Sequence, residues 1–174
     1  AKGNSDKSDS TTANMRTSNA SGIHFWSSSV SPFNGYLLSY MAVWTTAAGA
    51  NSNTVYLNLI PYVNGTMYHE LTTTPYKALG IGTVSGTTSV VLDLVADSEA
   101  QTLTVTAYAS KEDKESNTPV GNINQKVIDL SQTGCRYAEG YVGMRVNAGG
   151  TLNLIYQAEF MDFSATTQVA PPEV

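Results

Sequence analysis

Residues 22–44, GIHFWSSSVSPFNGYLLSYMAVW, gather two tryptophans, two tyrosines, two phenylalanines and a histidine in a chain whose polar residues are mostly Ser, Thr, Asn and Gly. Rings in such a cluster serve either as core or as a surface for something flat, such as a sugar. A sugar lays its C–H patches on an aromatic face and offers its hydroxyls to Asn, Arg or His. His24, Trp26, Tyr36, Tyr56, Asn58 and Arg145 are the candidates for that work. Other chemistries find less in the sequence. Retaining glycoside cleavage needs two carboxyl groups about 5 Å apart. In DLVADSEA, Asp93 and Asp97 could share a strand face, but Asp97 and Glu99 fall in an expected turn, and Glu159 and Asp162 alternate onto opposite faces. His24 and His69 are the only histidines, and no Gly-x-Ser-x-Gly elbow accompanies them. His69, in MYHEL, reads as a hydrogen-bonded strand histidine, whereas His24 stands beside Trp26. Two isolated histidines and the single Cys135 do not make the three close ligands of a zinc site. Cys135 itself reads as a small half-buried residue, with no partner for a disulfide.

The elements that must position these residues are strands. The chain has 174 residues, 13% of them charged and 41% hydrophobic, with a net charge of −5. That length suits one packed domain. Without a Lys/Arg cluster, the basic footprint of a nucleic-acid or anionic-membrane partner is missing, so neither partner is expected. No run reaches the roughly 18 apolar residues of a membrane span. Runs such as GYLLSYMAVW, TVYLNLIPYV, SVVLDLVAD, QTLTVTAYAS and EGYVGMRV are rich in Val, Leu, Ile, Tyr and Thr and are punctuated by Gly, Asn, Ser, Pro and Asp. They predict about eight or more strands at short spacing, the pattern of an antiparallel sandwich. Asn64-Gly65 marks a tight hairpin, residues 147–154 a second one, and the charged run 110–122 a solvated loop. The polar residues 1–17 read as a flexible linker, 18–166 as the domain, and the proline-bearing 167–174 as an exit linker. Such tails suit a module of a larger multidomain protein.

Strand alternation sorts side chains onto faces. Ile23 and Phe25 oppose His24 and Trp26; Val55, Leu57 and Leu59 oppose Tyr56, Asn58, Ile60 and Tyr62; Val142, Met144 and Val146 oppose Tyr141, Gly143 and Arg145. In the run 36–44, the aliphatic odd positions Leu37, Met41 and Val43 are the expected core set, which sends Tyr36, Tyr40 and Trp44 to the second face; Trp44 could equally be core. The expected platform is then Trp26, Tyr36, Tyr56, Asn58 and Arg145, with His24 alongside. Arg145 could instead pair with Asp93.

The succession SGIHFW, NGYLLSY, VYLNLIPYVNG, SVVLDLVADSEAQTLTVTAY, GYVGMRV and AEFMDFSA resembles the concanavalin A-like lectin/glucanase superfamily, in particular its bacterial laminin G-like members. The matching residues are Ser21, Gly22, Ile23 and Phe25; Asn34, Gly35 and Tyr36; Gly140, Val142, Gly143 and Arg145; and Phe160, Asp162 and Phe163. The resemblance spans roughly residues 20–165. Strands that usually precede Ser-Gly-Ile are nearly missing, unless TTANMRTS supplies one. The resemblance implies an all-β, two-sheet antiparallel jelly roll whose concave sheet carries a ligand. Hydrolytic members carry Glu-x-Asp-x-(x)-Glu on one strand, a spacing this chain lacks. The function implied is that of a non-catalytic, lectin-like carbohydrate-binding module of a secreted or cell-surface bacterial protein, with a glycan as partner. The alternatives are a structural or adhesive sandwich domain of a surface adhesin or phage tail protein, and an unusual glycoside hydrolase. The resemblance also admits a structural calcium, with Asp162 at the matching place.

Overall fold

In the computed structural model, residues 2–5, 14–16, 22–28, 31–45, 53–68, 75–87, 89–145, 156–159 and 162–166 are described. They form, in chain order, β1 (Lys2–Ser5), β2 (Asn14–Arg16), β3 (Gly22–Ser27), β4 (Gly35–Thr45), β5 (Asn53–Val63), β6 (Thr66–Met67), β7 (Leu79–Ser85), β8 (Val91–Asp97), β9 (Thr102–Tyr108), β10 (Lys126–Asp129), β11 (Tyr141–Arg145) and β12 (Tyr156–Glu159). One five-residue helix, α1 (Lys111–Glu115), lies between β9 and β10. All strand pairs among the described residues are antiparallel, and the fold is all-β. The large sheet runs β11-β3-β4-β5-β6, with β2 also on β4 and β7 also on β5. A second sheet runs β10-β9-β8, and β1 pairs with β12.

The two larger sheets share one apolar core, a sandwich-like arrangement. Phe25, Tyr36, Leu38, Tyr40, Val55, Leu57 and Leu59 come from the large sheet and Leu103, Val105 and Ala107 from β9. On β5 from Val55 to Leu59, and on β9 from Leu103 to Ala107, buried residues alternate with less buried ones, because alternate side chains face this core. In β4 the core set is Tyr36, Leu38 and Tyr40, the reverse of the assignment made from alternation. The reason is that β4 is buried on both sides. Leu37 belongs to a second cluster with Ile60, Tyr62 and Ala78 on the opposite face, where Phe33 and Met67 pack. When both faces are apolar, a choice between aliphatic and aromatic sets carries no information about direction. Tyr36 settles inward because its hydroxyl has a partner there, donating to the Cys135 carbonyl at 3.0 Å. The side chains of Met41, Val43 and Trp44 lie outside the described residues, as do residues 147–154, His69 and the segment 167–174.

Local signals place the rest. Asn64 and Gly65 adopt φ of 50° and 78°, the doubly left-handed turn that joins β5 to β6. Pro61, without an N–H, sits where β7 has ended its pairing with β5 and β6 has not begun. Asp97, a candidate carboxylate by sequence, closes the β8–β9 turn by accepting from the N–H groups of Glu99 and Ala100, each at 2.9 Å. The charged run read as a loop contains α1, whose start is capped by Ser110 accepting from Asp113 N–H at 3.0 Å. Within the stretch read as a linker, Lys2–Ser5 and Asn14–Arg16 are strands, and β2 inside TTANMRTS pairs with β4.

The reversed face of β4 has a measurable consequence. Tyr36→Ala empties a fully buried site and is expected to cost about 3–5 kcal/mol in urea unfolding. Tyr56→Ala, at a residue 39% exposed, is expected to cost about 1 kcal/mol or less. Equal losses at the two positions would contradict this packing.

Candidate functional site

The platform of six residues does not assemble as one surface. Tyr36 is in the core. The opposite face of the large sheet, expected to be wet, is closed at its centre: Leu37 and Ser39 are 0% exposed, Ile60 2% and Tyr62 3%. Tyr56 is exposed on that face, opposite Met41 and Thr83 in register. Asn58 is half-buried, in register with Ser39 and Gly80.

His24 and Arg145 do come together, on the face opposite the core. The Arg145 guanidinium lies 4.8 Å from the Tyr62 ring centre and 5.3 Å from that of Phe33, a cation held by two aromatic faces rather than by Asp93. Asp93 pairs with Lys114. Phe33 is brought there by the loop after β3. Gly65 N–H donates to its carbonyl at 2.7 Å, and Asn64 N–H donates to Asn34 Oδ1 at 2.8 Å. The Phe33 ring meets His24 and Tyr62 edge-on at 5.5 and 5.1 Å. Gly143 is required beneath His24, since a Cβ there would stand 2.7 Å from Nε2.

The hydrogen-bond chain at His24 fixes its role. Ser27 Oγ donates to the Tyr141 carbonyl at 3.0 Å, which uses its only proton. The 2.6 Å contact with His24 is therefore Nδ1–H donating to Oγ. A nucleophilic serine needs the reverse, with histidine accepting. The pair instead ties β3 to β11. Burial first, and then the Arg145 charge, hold the His24 imidazole below its usual pKa, so the neutral ring is the folded form.

Trp26 departs from alternation. Between Ser27 opposite Tyr141 and His24 opposite Gly143, β3 advances three residues while β11 advances two, so β3 carries a bulge. Trp26 sits in it at φ 47°, the left-handed region, where a bulky residue is an outlier. The bulge turns the indole to the rim of the core, edge-on to Phe25 at 5.4 Å and Tyr36 at 6.2 Å. Its outer side borders an open cleft of about 870 Å³. Asn34, Arg136, Tyr137, Glu139 and Tyr141 also line that cleft. Tyr137 is fixed as a wall. Its hydroxyl donates to the Tyr62 carbonyl at 2.7 Å, and burial raises its pKa well above the ordinary value. Among the described residues Arg136 and Glu139 have no ion-pair partner.

Asp162 is exposed and pairs with Lys111 at 3.2 Å, so its partner in this structure is an ammonium. Among the described residues, no three His, Cys, Asp or Glu side chains gather as metal ligands. Cys135 is buried, and burial raises its pKa. Sequence reasoning missed Phe33, Tyr62, Arg136 and Glu139. The available signal was CRYAEGY, which sets two charges among aromatics in a chain with few charges. No family model, curated protein or solved structure matches the chain.

The depressed His24 pKa gives a signed pH dependence. The stability tied to the neutral ring is fully present above the ordinary value of 6.5 and is lost as pH falls toward the lower folded value. His24→Asn retains a donor for Ser27 but cannot titrate. Its melting temperature is expected to fall less than wild type between about pH 7.5 and about pH 5. Parallel declines would show that His24 protonation is not coupled to folding.

Proposed function

We propose that the chain is a non-catalytic, lectin-like carbohydrate-binding module with a jelly-roll sandwich, carried on a secreted or cell-surface protein. The glycan lies in the Trp26 cleft rather than on the sheet face. The observation that carries this reading is the Trp26 indole, held at a left-handed backbone position on the rim of an open cleft that also presents Arg136 and Glu139. Strained backbone at bulky residues concentrates where a side chain must be aimed, and bulges are a common means of aiming it. The indole offers a face for sugar C–H groups, Arg136 donates to ring or hydroxyl oxygens, and Glu139 accepts from hydroxyls. Affinity for one site is modest, because each sugar hydroxyl exchanges a water partner for a protein partner.

The exposed side chains of β11 favour a second reading, a structural or adhesive domain whose surfaces meet protein. A glycan array separates the two. Wild type is expected to bind a defined set of oligosaccharides, and Trp26→Ala, if its unfolding transition persists, is expected to lose at least tenfold in apparent affinity. An array silent for neutral and acidic glycans would overturn the lectin reading and leave the adhesive one. Repeating the array with a chelator tests whether a calcium ion supports the site.

A further inference from the structure

We propose that His24 makes the pairing of β3 with β11 an acid-sensitive latch. Protonation of its ring frees β11, and with it the Tyr141 wall of the cleft, while the other strands of the large sheet stay paired. The latch does not depend on what the cleft holds. Its closed form is built around a neutral imidazole. Nδ1–H donates to Ser27 Oγ at 2.6 Å, and Ser27 Oγ donates to the Tyr141 carbonyl at 3.0 Å, so one ring proton serves both strands. The other nitrogen, Nε2, has no hydrogen-bond partner among the described residues. It rests against Gly143 of β11, where an added Cβ would stand only 2.7 Å away.

A second ring proton disturbs this arrangement twice. On Nε2 it is a donor pressed against β11 with no acceptor. It also sets a positive charge beside the Arg145 guanidinium, which keeps its own proton throughout. The surroundings offer no compensation. Facing the ring are Gly143 and Arg145 of β11, Phe33 of the loop after β3 and Leu37 of β4, with Tyr62 of β5 behind Phe33. Among these residues only Arg145 is charged, because burial raises the Tyr62 pKa and keeps its phenol neutral. Among the described residues no carboxylate pairs with the ring, and residues 146–155, which follow β11, contain no ionisable side chain.

Relief comes from the element held least. Among the described residues β11 pairs with β3 alone, and none of its five residues is buried. Such an element opens at lower cost than the strands of the core. Strand β3, by contrast, keeps its pairing with β4 and puts Phe25 into the core. The repulsion acts at Arg145, the last residue of β11. The bulge at Trp26, which keeps β3 in step with β11, loses its cause when β11 leaves. Gly140 and Tyr141 line the cleft with Trp26, so the same opening dismantles one of its sides. The closed form is complete above the ordinary histidine value of 6.5 and is lost as pH falls toward the lower value that burial, and then Arg145, impose.

Hydrogen exchange of the full chain tests the latch, read as protection factors so that the intrinsic pH dependence of exchange cancels. Between about pH 7.5 and about pH 5, the protected amides of residues 141–145 are expected to lose roughly tenfold or more, while residues 55–59 and 103–107 change less than about twofold. The midpoint is expected to follow the His24 ring signals in NMR rather than those of His69. His24→Asn, which retains a donor for Ser27, is expected to keep its protection across the range. Arg145→Gln, which removes the repelling charge, is expected to lose less than about threefold. Unchanged protection at 141–145 in wild type, an equal loss in the core strands, a midpoint apart from the His24 titration, or an undiminished loss in either variant would overturn the proposal.

Discussion

Strand β3 must keep step with β4 on one side and with β11 on the other, and it does both only by carrying an extra residue. From Gly22 to Phe25 it matches Ser39 to Tyr36 of β4 one for one. Toward β11 the match slips at Trp26. That residue absorbs the mismatch at φ 47°. The slip sends Phe25 and the indole to the same side of the sheet, where strict alternation would have separated them. It leaves the space between β3 and the segment before β11 as the cleft.

A left-handed conformation at a bulky residue costs about 1–3 kcal/mol. The edge-on contacts of the indole with Phe25 and Tyr36 return about 0.5–1.5 kcal/mol per pair beyond area burial. The bulge is thus held by the core it borders. Tyr36 links the two, since its ring packs against Trp26 and Tyr137 and its hydroxyl binds the Cys135 carbonyl. A residue chosen for ligand contact serves instead as the support behind the cleft. The His24–Ser27–Tyr141 chain holds the β11 side of the same slip.

What the sequence revealed depended on how local each cause is. The Asn64-Gly65 hairpin was legible because two residues determine its backbone. The faces of β5 were legible because Val55, Leu57 and Leu59 contrast with Tyr56 and Asn58. The faces of β4 were not, because Leu37 and Leu38 are both buried and neither parity is polar. The position of Trp26 was out of reach, since a bulge arises from the pairing of β3 with two strands and leaves no mark in its own residues. For the same reason the six proposed site residues divided: His24 with Arg145 against Phe33 and Tyr62, Trp26 in the cleft, Tyr36 in the core, and Tyr56 with Asn58 farther across the sheet. Alternation assigns a face, but it does not say whether that face is open.

The most direct test of a glycan site at the β3 bulge is hydroxyl-radical footprinting of the intact chain, alone and with pooled oligosaccharides. Trp26 and Tyr141 are expected to be oxidised in the free chain and protected by glycan, with Tyr56 oxidised equally in both and Tyr36 unreactive throughout. Protection at Tyr56 with Trp26 unchanged would return the site to the sheet face and contradict a site in the cleft.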